Sequence, residues 1–259
     1  MYKGNTVADF KKYFGLPKDY KIDGVLSYGS WRKDEHKDLL RKIINEQGFQ
    51  VEYEQLGESF LREVLAFKIN DKRFWFETGY GGAYISEIIH LGCMFGSKKN
   101  IVLGTCGGLL KTGKTGDIII PTYSHGNEST TRMYSPDSEE HKHFSDKDLS
   151  NSLKKRLGSN VTIHEGPVVT CQAMLLESWE DIQDWSKEGY LGVEMETSTV
   201  FAVSKHFNVP SSAILVIADN LIKKETVLND NYKNAAKYRH EIRDLAYKVG
   251  LEELLVDKK

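Results

Sequence analysis

The sequence has no excess of charge of either sign and no long apolar run. Its 35 Lys and Arg against 37 Asp and Glu give a formal net charge of −2, so no basic surplus attracts a phosphate backbone. The longest mainly apolar runs, 101–110 and 213–218, fall well short of the roughly 20 residues that span a bilayer. Nucleic-acid and membrane partners are therefore not expected.

Cysteine and proline are also scarce. The three cysteines are odd in number and widely separated, and the five prolines are scattered. A disulfide framework is not expected, and residues 1–10 lack an apolar stretch resembling the core of a signal peptide, so we expect a reducing, cytoplasmic location. With no repeat, low-complexity tract or Pro- or Ser-rich linker, one domain covering 1–259 is the simplest organisation.

Short β-branched runs alternate with amphipathic stretches, which predicts an α/β domain around a mixed sheet. The predicted strands lie near 24–28, 63–69, 74–78, 101–105, 117–121, 167–171 and 213–218. The predicted helices lie near 83–95, 179–187, 194–207 and 232–256. In such sheets ligands bind where strand ends and Gly-rich turns meet helix starts.

The most polar stretch, 123–159, includes His141 and His143. This pair has metal-ligand character, but no third ligand stands at a telling spacing. We therefore expect a solvated loop and no metal.

The first glycine turn follows the strand predicted at 24–28. Gly29 lets backbone N–H groups approach an anion, and Arg32 and Lys33 supply positive charge just beyond it. Taken alone, the pattern is more typical of a turn glycine before a solvated helix.

Two further glycine-rich segments, 78–83 and 104–109, each follow a predicted strand, and we interpret both as strand-to-helix turns at one edge of the sheet. Neither has the spacing of a Walker loop or a dinucleotide-binding turn. Thr105 would offer a hydroxyl to an oxyanion there. The alternative, tight packing of strand against helix, explains the glycines equally well.

The segment 191–203 combines carboxylates with an apolar helical pattern. One face, at spacing i, i+4, i+7 and i+8, is formed by Met195, Thr199, Ala202 and Val203. Glu194 and Glu196 therefore lie near a core and need hydrogen-bond donors from the protein or from a polyhydroxylated ligand. Asp219 ends an apolar strand, where a carboxyl is placed for acid–base chemistry.

These segments together resemble the nucleoside phosphorylase superfamily, which includes purine nucleoside phosphorylases, uridine phosphorylases and methylthioadenosine/adenosylhomocysteine nucleosidases. The match runs from about residue 13 to 220, and its most specific part is Gly192-Val-Glu-Met-Glu196 with Asp219 downstream, supported by 104–108 and 116–121. The resemblance implies a three-layer α/β/α sandwich around a mixed, distorted central sheet. It also implies a homo-oligomer, either a dimer, a trimer or a hexamer, with sites built across subunit contacts.

The resemblance implies roles for residues that match the family's positions. Asp219 matches the acid that protonates the leaving base. Implied ribose contacts are Met195, Glu196 and, from a neighbouring subunit, Tyr13. Implied base contacts are Met174, Gly107, Val193 and Gln172, although a backbone hydrogen bond is the commoner use of a residue such as Gln172. Implied phosphate contacts are Gly29, Arg32, Lys33 and Thr105.

The first-turn sequence departs from the phosphorolytic pattern. Relatives of that kind usually have Gly-Asp-Pro-x-Arg, whereas this chain has Gly29-Ser-Trp-Arg-Lys33, and Val102 stands where a second arginine is expected. A third arginine would fall near Glu58, with Arg62 close by. Because Lys does not reproduce the planar fork of Arg, the phosphate site is weakened or rebuilt.

Three functions are consistent with these residues. The first is phosphorolysis of a nucleoside to free base and ribose 1-phosphate, with inorganic phosphate as co-substrate and no cofactor. The second is hydrolysis, since hydrolytic relatives place a carboxylate at the position of Asp34; a charged, solvated helix start is the alternative reading of that residue. The third is non-catalytic nucleoside binding. Asp219 favours a purine-type base.

Overall fold

A ten-stranded sheet runs through the computed structural model, which describes residues 4–57 and 60–257. Its strands are β1 (Gly24–Gly29), β2 (Glu52–Glu54), β3 (Leu65–Ile69), β4 (Lys72–Gly79), β5 (Asn100–Gly108), β6 (Ile118–His125), β7 (Lys142–Phe144), β8 (Ile163–Thr170), β9 (Gly192–Glu194) and β10 (Ser211–Asn220). The helices of the described chain are α1 (Val7–Tyr13), α2 (Lys33–Glu46), α3 (Gly82–Met94), α4 (Ser129–Tyr134), α5 (Lys147–Leu157), α6 (Trp179–Lys187), α7 (Thr197–His206), α8 (Asp230–Asn234) and α9 (Ala236–Leu255).

The sheet is mixed, and part of it closes on itself. Its order is β10-β6-β8-β9-β5-β1-β4-β3-β2, and β10 also pairs with β5, so five strands form a closed circuit. Strands β4, β1, β5 and β10 run parallel to one another. Their carboxyl ends therefore meet at one edge, which we call the carboxyl edge.

Successive side chains of the central strands point to opposite faces of the sheet, and each face packs against a layer of helices. Leu26 of β1 and Leu103 of β5 pack in the cluster that contains α2, α5 and α9. Val25 and Val102, one position away, pack in the cluster that contains α3 and α7. Because successive side chains of a strand point to opposite faces, these clusters cover the two sides of the sheet. The predicted α/β/α sandwich is confirmed.

The interpretation of 123–159 as a solvated loop is wrong. The segment contains the end of β6 and the whole of α4, β7 and α5. Its leucines at i, i+4 and i+8, Leu149, Leu153 and Leu157, are buried in the core, although charged residues surround them in sequence. His143 is buried, and its Nε2 lies 3.1 Å from the carbonyl oxygen of Gly126. Among the described residues no group of His, Cys, Asp and Glu could hold a metal ion.

The interpretation of 104–109 as a strand-to-helix turn is also wrong, because Gly104 to Gly108 continue β5. The glycines allow close packing inside the sheet. A Cβ atom at position 107 would lie 2.5 Å from Cδ1 of Leu221 and 3.3 Å from Cγ1 of Val193. Tight packing is thus the observed reason for Gly107.

The two carboxyl-terminal helices differ from their predicted bounds. Helix α7 begins at Thr197, and Glu194 belongs to β9, so Met195 lies in the bend between them and is not on the helical face. The stretch 232–256 is divided into α8 and α9. In the described part of the chain no helix is both long and apolar enough to cross a membrane.

Candidate active site

The carboxyl edge brings several predicted site residues together. Gly29 pairs with Gly79, and Asp219 pairs with Gly107, which in turn pairs with Val193. Thr105 is exposed although nearly all of β5 around it is buried. An exposed side chain in the middle of a covered sheet means that the covering elements leave this part of the sheet open to solvent, and we call this opening the cleft.

Glu196 lies at the start of α7 and is only 5% exposed. Its Oε1 accepts a 2.6 Å hydrogen bond from the Gly81 amide. A Cβ atom at position 29 would overlap its other oxygen, so a side chain at that point of β1 would force the carboxyl to move. Burial, with repulsion from Glu194, raises the pKa of Glu196 to about 8. The carboxyl is thus held beside the first glycine turn.

Glu194 fixes the bend that carries Glu196. Its Oε2 accepts hydrogen bonds of 2.7 Å from the amides of Glu196 and Thr197, and the Thr170 hydroxyl donates to its Oε1. Burial raises the pKa of the Glu194 carboxyl, and these donors lower it. The hydrogen bonds to the α7 start satisfy groups that would otherwise be unpaired.

Gln172 connects three loops at the site. Its Oε1 accepts from the Gly82 amide at 3.0 Å, and its Nε2 donates to the Met195 carbonyl at 2.6 Å. Both hydrogen bonds go to backbone, the use that sequence reasoning placed first. Gln172 therefore holds the bend at Met195 against the start of α3.

The part of the site at Asp219 contains two carboxyls. Burial raises the pKa of Asp219 to about 6, while Arg239 and a backbone hydrogen bond at Val227 lower it. Burial also raises the pKa of Glu177 to about 7, with a further rise from the nearby charge of Asp219, and the thiol of Cys171 is its hydrogen-bond partner. Sequence reasoning did not assign Glu177 to the site; its place three residues after Met174 was the only signal.

The mouth of this part of the site is aromatic and apolar. Met174, in the short 3-10 turn Met174–Leu176, is 46% exposed, and its sulfur lies 4.0 Å from the Tyr80 hydroxyl. Trp31 meets Tyr80 edge-on with 4.9 Å between ring centroids. These exposed side chains extend the cleft outward and provide surface for an apolar or aromatic group.

In the first glycine turn itself, two cations follow Gly29. Lys33 donates through Nζ to the Tyr84 hydroxyl at 2.9 Å, whereas exposed Arg32 forms a 3.4 Å ion pair with Glu35. Asp34 is exposed in the first turn of α2. Val102 is 1% exposed and belongs to the apolar core.

The other residues predicted for the site make none of these contacts, or they fall outside the residues that the structure describes. Tyr13 ends α1, is 69% exposed and packs its ring edge-on against Phe14. Arg62 is exposed in the 3-10 turn Phe60–Glu63. The position near Glu58 lies outside the described residues.

Comparison with known proteins gives consistent results. Residues 37–249 match the family model described as Phosphorylase superfamily. Guanosine phosphorylase of Halorubrum lacusprofundi is 33% identical over 120 residues, 46% of this chain and 49% of that protein. The DeoD-type purine nucleoside phosphorylase of Clostridium novyi is 27% identical over 197 residues, 66% of this chain and 78% of that protein. The crystal structure of uridine phosphorylase from Vibrio fischeri ES114 has a TM-score of 0.74 at 21% identity and covers 91% of this chain and 93% of that one.

The family match covers most of the chain, and the chain therefore belongs to the Phosphorylase superfamily. The likeness to the Vibrio fischeri structure shows the fold alone, and the predicted sandwich is confirmed by it. The relatives carry the names of nucleoside phosphorylases, so the predicted enzyme type, a nucleoside phosphorylase-like pentosyltransferase, is confirmed at the level of the family.

Proposed function

We propose that this protein cleaves the N-glycosidic bond of a purine-type nucleoside by phosphorolysis, giving the free base and ribose 1-phosphate. One observation carries the proposal. A buried carboxyl, Glu196, lies at the carboxyl edge beside the glycine of the first turn, and the protonatable Asp219 ends a strand of the same edge. The first turn offers groups complementary to an anion, Glu196 offers groups complementary to a sugar, and Asp219 offers a proton to a base.

The sugar is the central part of this arrangement. Glu196 accepts hydrogen bonds from ribose hydroxyls in its ionised form, and these donors lower its raised pKa once the nucleoside is bound. Met195 lies in the same bend, next to the sugar. As the glycosidic bond lengthens, the sugar gains positive charge, which the buried carboxylate and the incoming phosphate stabilise. Gly29, Thr105, Lys33 and Arg32 hold that phosphate.

The base leaves with a proton from Asp219. The raised pKa of Asp219 keeps a fraction of this carboxyl protonated near neutral pH, so the base does not have to leave as an anion. Glu177 lies close enough to feel the charge of Asp219, and its carboxyl accepts from an N–H group on the base edge. A purine with N–H donors on its six-membered ring fits this pair, and one relative is named for guanosine.

Hydrolysis is the second candidate, and the position of Val102 favours it. That side chain is buried in the apolar core, so it cannot provide the cation that phosphorolytic relatives have there. Water would then attack, with the exposed Asp34 as its base.

A product analysis decides between the candidates. The protein is incubated with a panel of nucleosides, with and without phosphate, and the sugar product is identified. Ribose 1-phosphate formed only with phosphate supports the proposal. Free ribose formed at an equal rate without phosphate establishes hydrolysis, and no product with any nucleoside leaves the non-catalytic binding function.

We also propose a cytoplasmic location and an assembly of at least two subunits. Tyr13 is a largely exposed aromatic residue at the end of α1, and in the assembly it reaches the sugar site of a neighbouring subunit.

A further inference from the structure

A buried carboxyl lies beneath the first glycine turn, and no role above uses it. Glu77, in β4, is fully buried. Its Oε1 accepts a 3.1 Å hydrogen bond from the Tyr84 hydroxyl, and its Oε2 has no hydrogen-bond partner among the described residues. A buried carboxyl oxygen without a partner destabilises the ionised form of the group.

Tyr84 connects this carboxyl to the cation of the first turn. Its ring packs on Gly79, the residue that pairs with Gly29. Its hydroxyl, which donates to Glu77, also accepts from Nζ of Lys33 at 2.9 Å, and the same ammonium lies 4.3 Å from the ring centroid. Glu77, Tyr84 and Lys33 are thus linked by two hydrogen bonds that run from the core to the first glycine turn.

The charged groups around Glu77 set its protonation. Burial raises the pKa of Glu77 to about 7, while Lys33, Lys37 and the Tyr84 hydroxyl lower it. Lys37 is itself paired with Glu63 at 3.2 Å. His36, on the same helix as both lysines, has a pKa lowered to about 4 by burial and stays neutral near pH 7.

We propose that Glu77 determines how strongly the first turn binds an anion, because its carboxylate competes with that anion for Lys33. The inference rests on the proposed function in one respect, the assignment of Lys33 to the anion site. An anion placed against Lys33 faces an ionised Glu77 through one tyrosine, and the repulsion between two negative groups is large where water is excluded. Glu77 takes up a proton from solvent when the anion binds, and Lys33 is then left with its full charge for the anion.

The sign of the pH dependence follows from this coupling. Below the pKa of Glu77 the carboxyl is already neutral, and anion binding requires no proton. Above it, binding requires proton uptake, and the affinity falls as the pH rises. The co-substrate for phosphorolysis would therefore bind best when Glu77 is protonated.

The test measures the binding of inorganic sulfate, which stays dianionic between pH 6 and 8, by titration calorimetry to wild type and to Glu77→Gln. Their dissociation constants should agree within about twofold at pH 6, and wild type should bind about tenfold more weakly at pH 8. The comparison cancels other groups that titrate near the site, such as Glu196. Tyr84→Phe removes a donor that lowers the pKa of Glu77, so it should also bind more tightly than wild type at pH 8, by a smaller factor.

Glu46→Gln is the matched control, since it removes a carboxyl of α2 that pairs with Lys42 at 3.6 Å and not with Lys33 or Lys37; its dissociation constants should follow those of wild type. The inference is overturned if wild type and Glu77→Gln keep the same ratio of dissociation constants at both pH values, or if neither binds sulfate. Formation of ribose 1-phosphate is measured separately. Its absence would overturn the proposed phosphorolysis and leave the sulfate result to decide the role of Glu77.

Discussion

Glu196 has one carboxyl oxygen bonded to the Gly81 amide and the other close to Gly29, and both contacts hold the side chain at the carboxyl edge. If it accepts hydrogen bonds from ribose, Glu196→Gln should lower kcat/KM by about 30- to 150-fold, which corresponds to about 2–3 kcal/mol for charge-assisted bonds. Steady-state kinetics measures this effect, with the exposed Glu180→Gln as control. An unchanged kcat/KM would reject the ribose role.

Asp219 is the residue whose ionisation should limit the reaction at higher pH. Its pKa is raised to about 6, and only the protonated carboxyl donates, so kcat/KM should fall as the pH rises through about 6. In Asp219→Asn that descending limb should disappear, and the rate with a nucleoside should drop by about 10²–10⁴-fold. A riboside whose leaving group needs no proton is the control, because its cleavage should survive the substitution. Persistence of the limb in the variant would exclude Asp219 as the acid.

At the scale of secondary-structure elements, the first turn of α2 carries a candidate residue for each possible nucleophile, phosphate or water. If phosphate attacks, Lys33→Gln should raise the KM for phosphate by about 10-fold or more and leave that for nucleoside nearly unchanged, since the lost contact is to the anion. If water attacks, Asp34→Asn should remove most activity instead. Initial rates at varied phosphate and varied nucleoside separate the two cases. An equal rise in both KM values with Lys33→Gln would contradict a specific anion contact.

Helix α5 shows how burial stabilises an element whose sequence is mostly polar. Leu153 is fully buried between α5 and the sheet, so Leu153→Ala should lower the free energy of unfolding by about 2–5 kcal/mol. The exposed Lys155→Ala, on the same helix, should change it by no more than about 0.5 kcal/mol. Urea denaturation measures both values. A loss below about 1 kcal/mol for Leu153→Ala would mean that α5 contributes little to the core.

At the scale of the whole molecule, several large apolar side chains are exposed. Leu175, Leu176 and Leu228 are 96%, 81% and 86% exposed, and Tyr13 is 69% exposed. Since large exposed apolar groups often mark interfaces, we expect at least a dimer in solution with Tyr13 near the partner's sugar site. Sedimentation velocity gives the mass, and Tyr13→Ala should raise the KM for nucleoside. A monomer with full activity would rule out a shared site.

The sequence determined the alternation of strands and helices and identified the central candidate site residues. Short apolar runs such as 24–29 and 211–220 are local patterns, and local patterns are enough to identify buried strands. The Val-Glu-Met-Glu segment at 193–196 and Asp219 were recognisable for the same reason. Helix α5 was missed because its leucines are few among charged residues, and Gly104 to Gly108 were misread because glycine marks a turn more often than a strand.

Only the tertiary structure decided which of these residues meet. The charge of Asp219 acts on Glu177, and Lys33 is joined to Glu77 through a tyrosine 51 positions further along the chain. No periodicity in the sequence encodes such contacts, because they depend on which strands pair and on how the helices cover them. The burial that raises the pKa values of Glu77, Glu196 and Asp219 likewise exists only once the chain has folded around them.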